Sequence, residues 1–134
     1  MIELKEVSCS FSDGFAKKGI FTAVSPITVH FKNGGRYAIV GESGSGKTTL
    51  ARMIAGLQKP SSGSVLVDGT SVYSRKRAGR EHFKRVQIIQ QNSASALDPK
   101  ISIGRTIEEP LLCFFHLEKE KRRERCRQLM EICN

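Results

Sequence analysis

An α/β fold is what this sequence predicts, and three consecutive stretches predict it. The run RYAIVG, residues 36–41, is short, apolar and halted by glycine, which suits a buried strand of a parallel sheet. Next comes GESGSGKTTL, residues 41–50, with three glycines in its first six positions. Glycine weakens strands and helices alike, so the backbone here must do something a side chain would forbid. Then KTTLARMIAGL, residues 47–57, sets Leu50, Ile54 and Leu57 at helical spacing with Met53 beside them, and Gly56 and Pro60 mark its end.

The remaining elements follow in chain order. Residues 2–11 alternate as a strand that ends near Phe11, and residues 12–19 form a turn-rich loop. IFTAVSPITVHF, 20–31, is one or two strands interrupted at Pro26, and KNGG, 32–35, is a tight turn. After the helix, QKPSSG is a turn and SVLVDG, 64–69, a strand with a turn behind it. A basic loop follows. RVQIIQQ, 85–91, is a further apolar strand, and 92–100 an irregular loop. A helix is predicted over 102–115 with Ser102 as its cap. A charged helix is predicted over 118–133, with Leu129, Ile132 and Cys133 as a narrow apolar seam.

The 134 residues suit one domain or part of a larger one, long enough to bury roughly two thirds of their surface. No apolar run approaches the ~20 residues that cross a bilayer. The amino terminus alternates like a strand, unlike a secretory leader, so a cytoplasmic chain is expected. Cys9, Cys113, Cys126 and Cys133 form no metal-type spacing and are expected as reduced thiols in or near the core. His30, His82 and His116 are scattered and receive no chemical role. The formal charge is +9. Most of it resides in RKRAGREHFKR, 75–85, and EKEKRRERCR, 118–127, which are expected as solvated surface. No aromatic motif interleaves either one, so no nucleic acid is expected.

Gly41, Glu42, Ser43, Gly44, Ser45, Gly46, Lys47 and Thr48 fit G-x-x-x-x-G-K-[ST], between a predicted strand and a predicted helix. The glycines let successive amides curl inward, and together with the positive end of the helix they make an anion cradle. A side chain at Gly44 or Gly46 is expected to fill space meant for phosphate oxygens. Lys47 would reach the β- and γ-phosphates, and the Thr48 hydroxyl would ligate Mg²⁺. Thr49 and the amides from Ser43 onward would hold the other phosphate oxygens.

With these residues in place, the chain resembles the ATP-binding subunit of an ABC transporter. GRYAIVGESGSGKTTLARMIAGLQKPSSGSVLVDG, 35–69, resembles that family's phosphate loop, helix and following strand. VQIIQQNSASALDPKISI, 86–103, resembles the segment around its Q-loop, and SALDPKISIGRTIEEPL, 95–111, is most like the oligopeptide, dipeptide and nickel importer branch. The resemblance implies a P-loop NTPase core at 35–91, an amino-terminal antiparallel β subdomain at 1–34, and the Q-loop region with the start of a helical subdomain at 92–134. It implies ATP and Mg²⁺ as ligands, and a place on the inner face of the membrane. Permease subunits and a second ATP-binding subunit are the implied partners. Gln91 is assigned the Q-loop role as a metal and catalytic residue, with Gln90 as its rival and Asn92 where an acid is frequent. Phe11 is assigned the adenine, with Phe15 and Phe21 as rivals.

No L-S-G-G-Q-like run, no apolar strand ending in Asp-Glu and no later switch histidine follows. The chain is therefore expected to be the amino-terminal part of a longer subunit, able to hold ATP–Mg²⁺ and poor at hydrolysing it alone. Two other classes stand beside this one. A small P-loop metabolite kinase would use the basic loop 75–85 as its lid. A nucleotide-responsive module would use the same basic surfaces for nucleic acid.

Overall fold

The computed structural model describes residues 1–12, 19–73, 77–92 and 97–133. The chain forms two compact units, Met1–Gln87 and Ile88–Asn134. In the first, strands β1 (Ile2–Ser12), β2 (Ile20–Phe31), β3 (Ser62–Val67) and β4 (Thr70–Ser71) make one antiparallel sheet in the order β2-β1-β3-β4. Helix α1 (Lys47–Ile54) packs on it, and α2 (Arg77–Arg85) follows.

The core of this unit is Leu4, Val7, Cys9, Leu50, Met53, Val65, Val67 and Val72. Leu4 and Val7 are both fully buried although they stand three residues apart, an odd step that simple alternation would send to opposite faces. A bulge re-phases the strand. Glu6 takes φ 49°, and the pairing register shifts between Leu4 and Val7. Opposite it, a Cβ on Gly63 would lie 2.2 Å from the Glu6 carbonyl oxygen, so only glycine lets β3 approach. Pro26 does not break β2, which runs through it. β2 has a neighbour on one side only, and an edge strand tolerates the missing donor.

Helix α1 buries Leu50 and Met53, half-buries Ile54 and leaves Leu57 beyond its end. Gly56 at φ 79° closes it. Its N–H donates to Met53 O at 3.2 Å and that of Leu57 to Arg52 O at 2.8 Å, the paired bonds of a Schellman cap.

Among the described residues, two predicted strands and the parallel sheet they would join are absent. Residues 36–41 and 86–91 carry no strand structure, and Val40 and Ile89 are 90% and 94% exposed. A strand exists only as a member of a ladder, and among the described residues neither run has one. The segment expected as a basic loop is helical from Arg77 to Arg85; residues 75 and 76 lie outside the described residues, as do residues 13–18 of the loop predicted over 12–19, whose first residue Ser12 belongs to β1.

In the second unit, α3 (Ile103–Phe115) packs against α4 (Lys119–Ile132). Ser102 caps α3 as predicted, its hydroxyl accepting from Arg105 N–H at 3.4 Å. Arg122 joins the two helices. Its guanidinium donates to Leu117 O at 2.5 Å and lies 3.6 Å from Glu108. Cys126 is the buried residue of α4, with Leu129 half-buried and Ile132 and Cys133 exposed, so the seam lies earlier along the helix than predicted. Of the four thiols, Cys9 and Cys126 are buried and Cys113 and Cys133 exposed, which meets the core expectation for two of them.

Candidate functional site: a glycine loop at a helix N-terminus

The loop of residues 41–46 hands the chain into α1 through a left-handed step. Gly44 has φ 81° and Gly46 φ 85°, conformations that side chains of L-residues resist. Ser45 N–H donates to Glu42 O at 3.2 Å and closes the turn between them. Gly46 is the N-cap of α1, and no side chain caps the helix. The first N–H groups of a helix lack intrahelical acceptors, so this end keeps its donors and its partial positive charge for a ligand.

The two glycines differ in what they permit. A Cβ on Gly44 would meet nothing within 4 Å, whereas one on Gly46 would lie 2.2 Å from Ala23 O and 3.1 Å from Val24 Cγ2. At Gly46 the expectation of a phosphate-filling side chain is thus corrected. The constraint there is the close approach of β2, which locks the loop to the sheet. The contribution of Ala23 and Val24 carries no signal in the sequence, because it depends on where β2 passes.

Lys47 folds back over the loop. Its ammonium donates to Gly41 O at 2.8 Å, to Glu42 O, and to Ser45 Oγ at 3.3 Å. The cation is therefore held at the mouth of the glycine turn, where an entering anion would meet it. Thr48 is exposed and Thr49 half-buried in the same first turn. A cleft of about 420 Å³ opens beside the loop, lined by Ser45 and Lys47 together with Val24, Ile27, Ile39 and Val40. Uncapped amides, a cation at the loop mouth and an exposed hydroxyl form a donor set that fits a polyphosphate with a divalent metal.

The other predicted positions are distributed as follows. Phe11 and Phe21 are directly opposed in the β1–β2 ladder, so the two rivals for the base form one exposed pair of rings on one face of the hairpin. Ser10 and Thr22, the neighbouring pair, turn the other way and share a hydrogen bond of 3.2 Å. Phe15 lies outside the described residues. Gln90 and Gln91 are exposed in the second unit, Gln91 in a bend and with no strand leading to it. No helix among the described residues is long and apolar enough to cross a membrane.

Sequence reasoning gave His82 no part, yet it is a buried polar side chain of the first unit, 5% exposed, with no partner for either ring nitrogen among the described residues. It packs at the far end of α1, where Tyr73 also binds.

Three comparisons bear on this site. A family model described as "ABC transporter" matches residues 24–134. The chain is 35% identical over 133 residues to the oligopeptide transport ATP-binding protein OppF of Streptococcus pyogenes serotype M1, covering 97% of this chain and 42% of that protein. It is 36% identical over 126 residues to the di/tripeptide transport ATP-binding protein DppF of Pseudomonas aeruginosa, covering 93% of this chain and 38% of that one. The chain thus spans less than half the length of these relatives. Among solved structures, a dimeric ATP-binding cassette in a post-hydrolysis state, bound to ADP and Pi, superposes with a TM-score of 0.79 at 26% identity, over 98% of this chain and 56% of that one.

Proposed function

This chain belongs to the ABC transporter family, and we propose that it supplies the ATP-binding elements of an ATPase subunit that powers peptide import. One observation carries the reading: a lysine ammonium held over the carbonyls of Gly41 and Glu42, at the mouth of a helix whose first turn no side chain caps. The names of its relatives favour peptides as cargo over nickel.

In this reading the backbone from Ser43 to Thr49 binds the phosphate chain through its amides. Lys47 exchanges its carbonyl partners for β- and γ-phosphate oxygens, so its charge is compensated in both states. The Thr48 hydroxyl and Gln91 would hold Mg²⁺, Gln91 as an uncharged amide that a short backbone shift could withdraw. Phe11, with Phe21 beside it, offers the base a flat apolar face. Bound Mg²⁺ would neutralise charge developing between the β- and γ-phosphates.

The three-part division 1–34, 35–91 and 92–134 belongs to the same proposal, as do the partners. Residues 92–115 are the surface offered to a permease subunit, and a second ATP-binding subunit closes over the nucleotide on the inner face of the membrane. Hydrolysis is assigned to the assembled transporter.

The test is a fluorescent-nucleotide titration of the wild-type chain and Lys47→Ala. Hydrogen bonds to charged groups contribute about 1.5–3 kcal/mol, so Lys47→Ala should weaken Mg·ATP binding by roughly ten- to a hundredfold. Unchanged affinity would remove the phosphate-loop role.

A further inference from the structure

Helix α1 has eight residues and is therefore only ~12 Å long. Its amino end carries the candidate phosphate cradle. Its carboxyl end is gripped by side chains that the nucleotide reading does not use. The Tyr73 hydroxyl, just past β4, donates to Met53 O at 2.7 Å and also reaches Gln58 O. A phenol has one proton, so the two carbonyls share it, and both lie at the exit of α1. Burial, then the nearby Cys9 thiol, push the Tyr73 pKa up to about 12, so the hydroxyl stays a donor across physiological pH. The ring itself packs against the core. His82 closes on the same helix end: a Cβ on Gly56 would lie 3.0 Å from His82 Cδ2 and 3.2 Å from Val72 Cγ1.

Besides the burial of Leu50 and Met53 in the core, the helix is fixed at both ends. At its amino end Gly46 sits against the Ala23 carbonyl, and at its carboxyl end Met53 and Gly56 meet Tyr73 and His82. With the contact at its carboxyl end lost, only the packing of Leu50 and Met53 sets the tilt of this short rod, and a change of tilt is felt by the groups at its amino end. The first-turn amides and Lys47 are those groups. A cradle that must be re-ordered when the anion arrives binds it more weakly than one already set.

We propose that Tyr73 is a positioning residue for polyphosphate binding: its hydroxyl holds the far end of α1 so that the first-turn amides and Lys47 stand ready at the other. The proposal rests on the nucleotide reading above. Its role is separable from simple stabilisation, because a stabilising contact alone would not change the affinity of molecules that remain folded.

Tyr73→Phe keeps the ring and deletes one hydroxyl. It is compared with Val67→Ala, a core truncation on β3 at a residue that does not line the cleft beside the loop. For each, a thermal melt is recorded, and binding of Mg·ATP and of inorganic tripolyphosphate is titrated well below the melting temperature. Hydrogen exchange at the Leu50 amide, which donates to Gly46 O at 2.9 Å, gives a second readout that needs no ligand. Tyr73→Phe should weaken both ligands by the same factor, about three- to tenfold, the scale of one net hydrogen bond, and speed Leu50 exchange. Val67→Ala should stay within about twofold of wild type for both ligands despite its lower melting temperature. Wild-type affinity in Tyr73→Phe, or a loss that Val67→Ala reproduces at equal stability, overturns the positioning role and leaves the nucleotide reading intact. A wild-type chain that binds neither ligand overturns both.

Discussion

Replacing Gly46 by alanine tests the loop geometry most sharply, because Gly44 supplies an internal control. Both residues have φ above 80°, so either alanine must bear the left-handed strain, about 1–2 kcal/mol. Here the two sites part. The new methyl at Gly44 enters open space, whereas at Gly46 it would lie 2.2 Å from the Ala23 carbonyl oxygen, well inside contact distance. Backbone blocks the way, and backbone does not rotate aside as a long side chain does. Either β2 shifts or the first turn of α1 does, and overpacking of this kind costs a further ~1–3 kcal/mol. Gly46→Ala should therefore lose ~2–5 kcal/mol, a large share of the 5–15 kcal/mol that holds a domain of ordinary stability. Gly44→Ala should lose ~1–2 kcal/mol. Urea unfolding followed by circular dichroism measures both, with the m-value as a check that the unfolded states match. Equal midpoints for the two variants would mean that α1 and β2 do not meet as described, and the argument for a locked loop would fail with them.

Two other perturbations probe the frame around the site. Ser102→Ala removes the oxygen that accepts Arg105 N–H and should cost α3 about 1 kcal/mol, read as lower hydrogen-exchange protection over residues 103–107; unaltered protection would mean the cap is idle. The Asp68 carboxyl is held below its ordinary value of 3.8, first by the hydrogen bond from the Met1 amine, then by the charge of that amine, with burial opposing and Arg85 adding to the effect. A depressed folded pKa contributes stability above 3.8 that is lost as pH falls through the folded value. Asp68→Asn should therefore show a smaller loss of stability than wild type as acid is added through that range. Parallel acid profiles of the unfolding midpoint would count against the pairing.

What could be read in advance follows from the range of the forces involved. The glycine loop, helix α1 with its Gly56 exit, and the Ser102 cap are set by residues within a turn or two of one another, and each stands where the sequence puts it. The antiparallel strands β1, β2 and β3 were also legible, since alternation and turn residues mark them. The runs at 36–41 and 85–91 were misread because their composition says only that they are apolar. A ladder needs a second strand, and no local rule supplies one. Helix α2 was hidden by its charges: among its described side chains, 81–85, His82 is buried, a residue with no periodic partner to announce it. In the site itself the loop and its lysine were plain. The pressure of Ala23 on Gly46 and the grip of Tyr73 on Met53 were not, because each joins residues 20 or more positions apart.

Val40 and Ile89, left standing in water, have a practical meaning. Each apolar Å² kept wet is worth about 25 cal/mol to whatever first covers it, and backbone groups without a ladder offer a neighbouring molecule a place to add a strand. These two stretches are therefore where a neighbouring molecule would gain most by covering the surface.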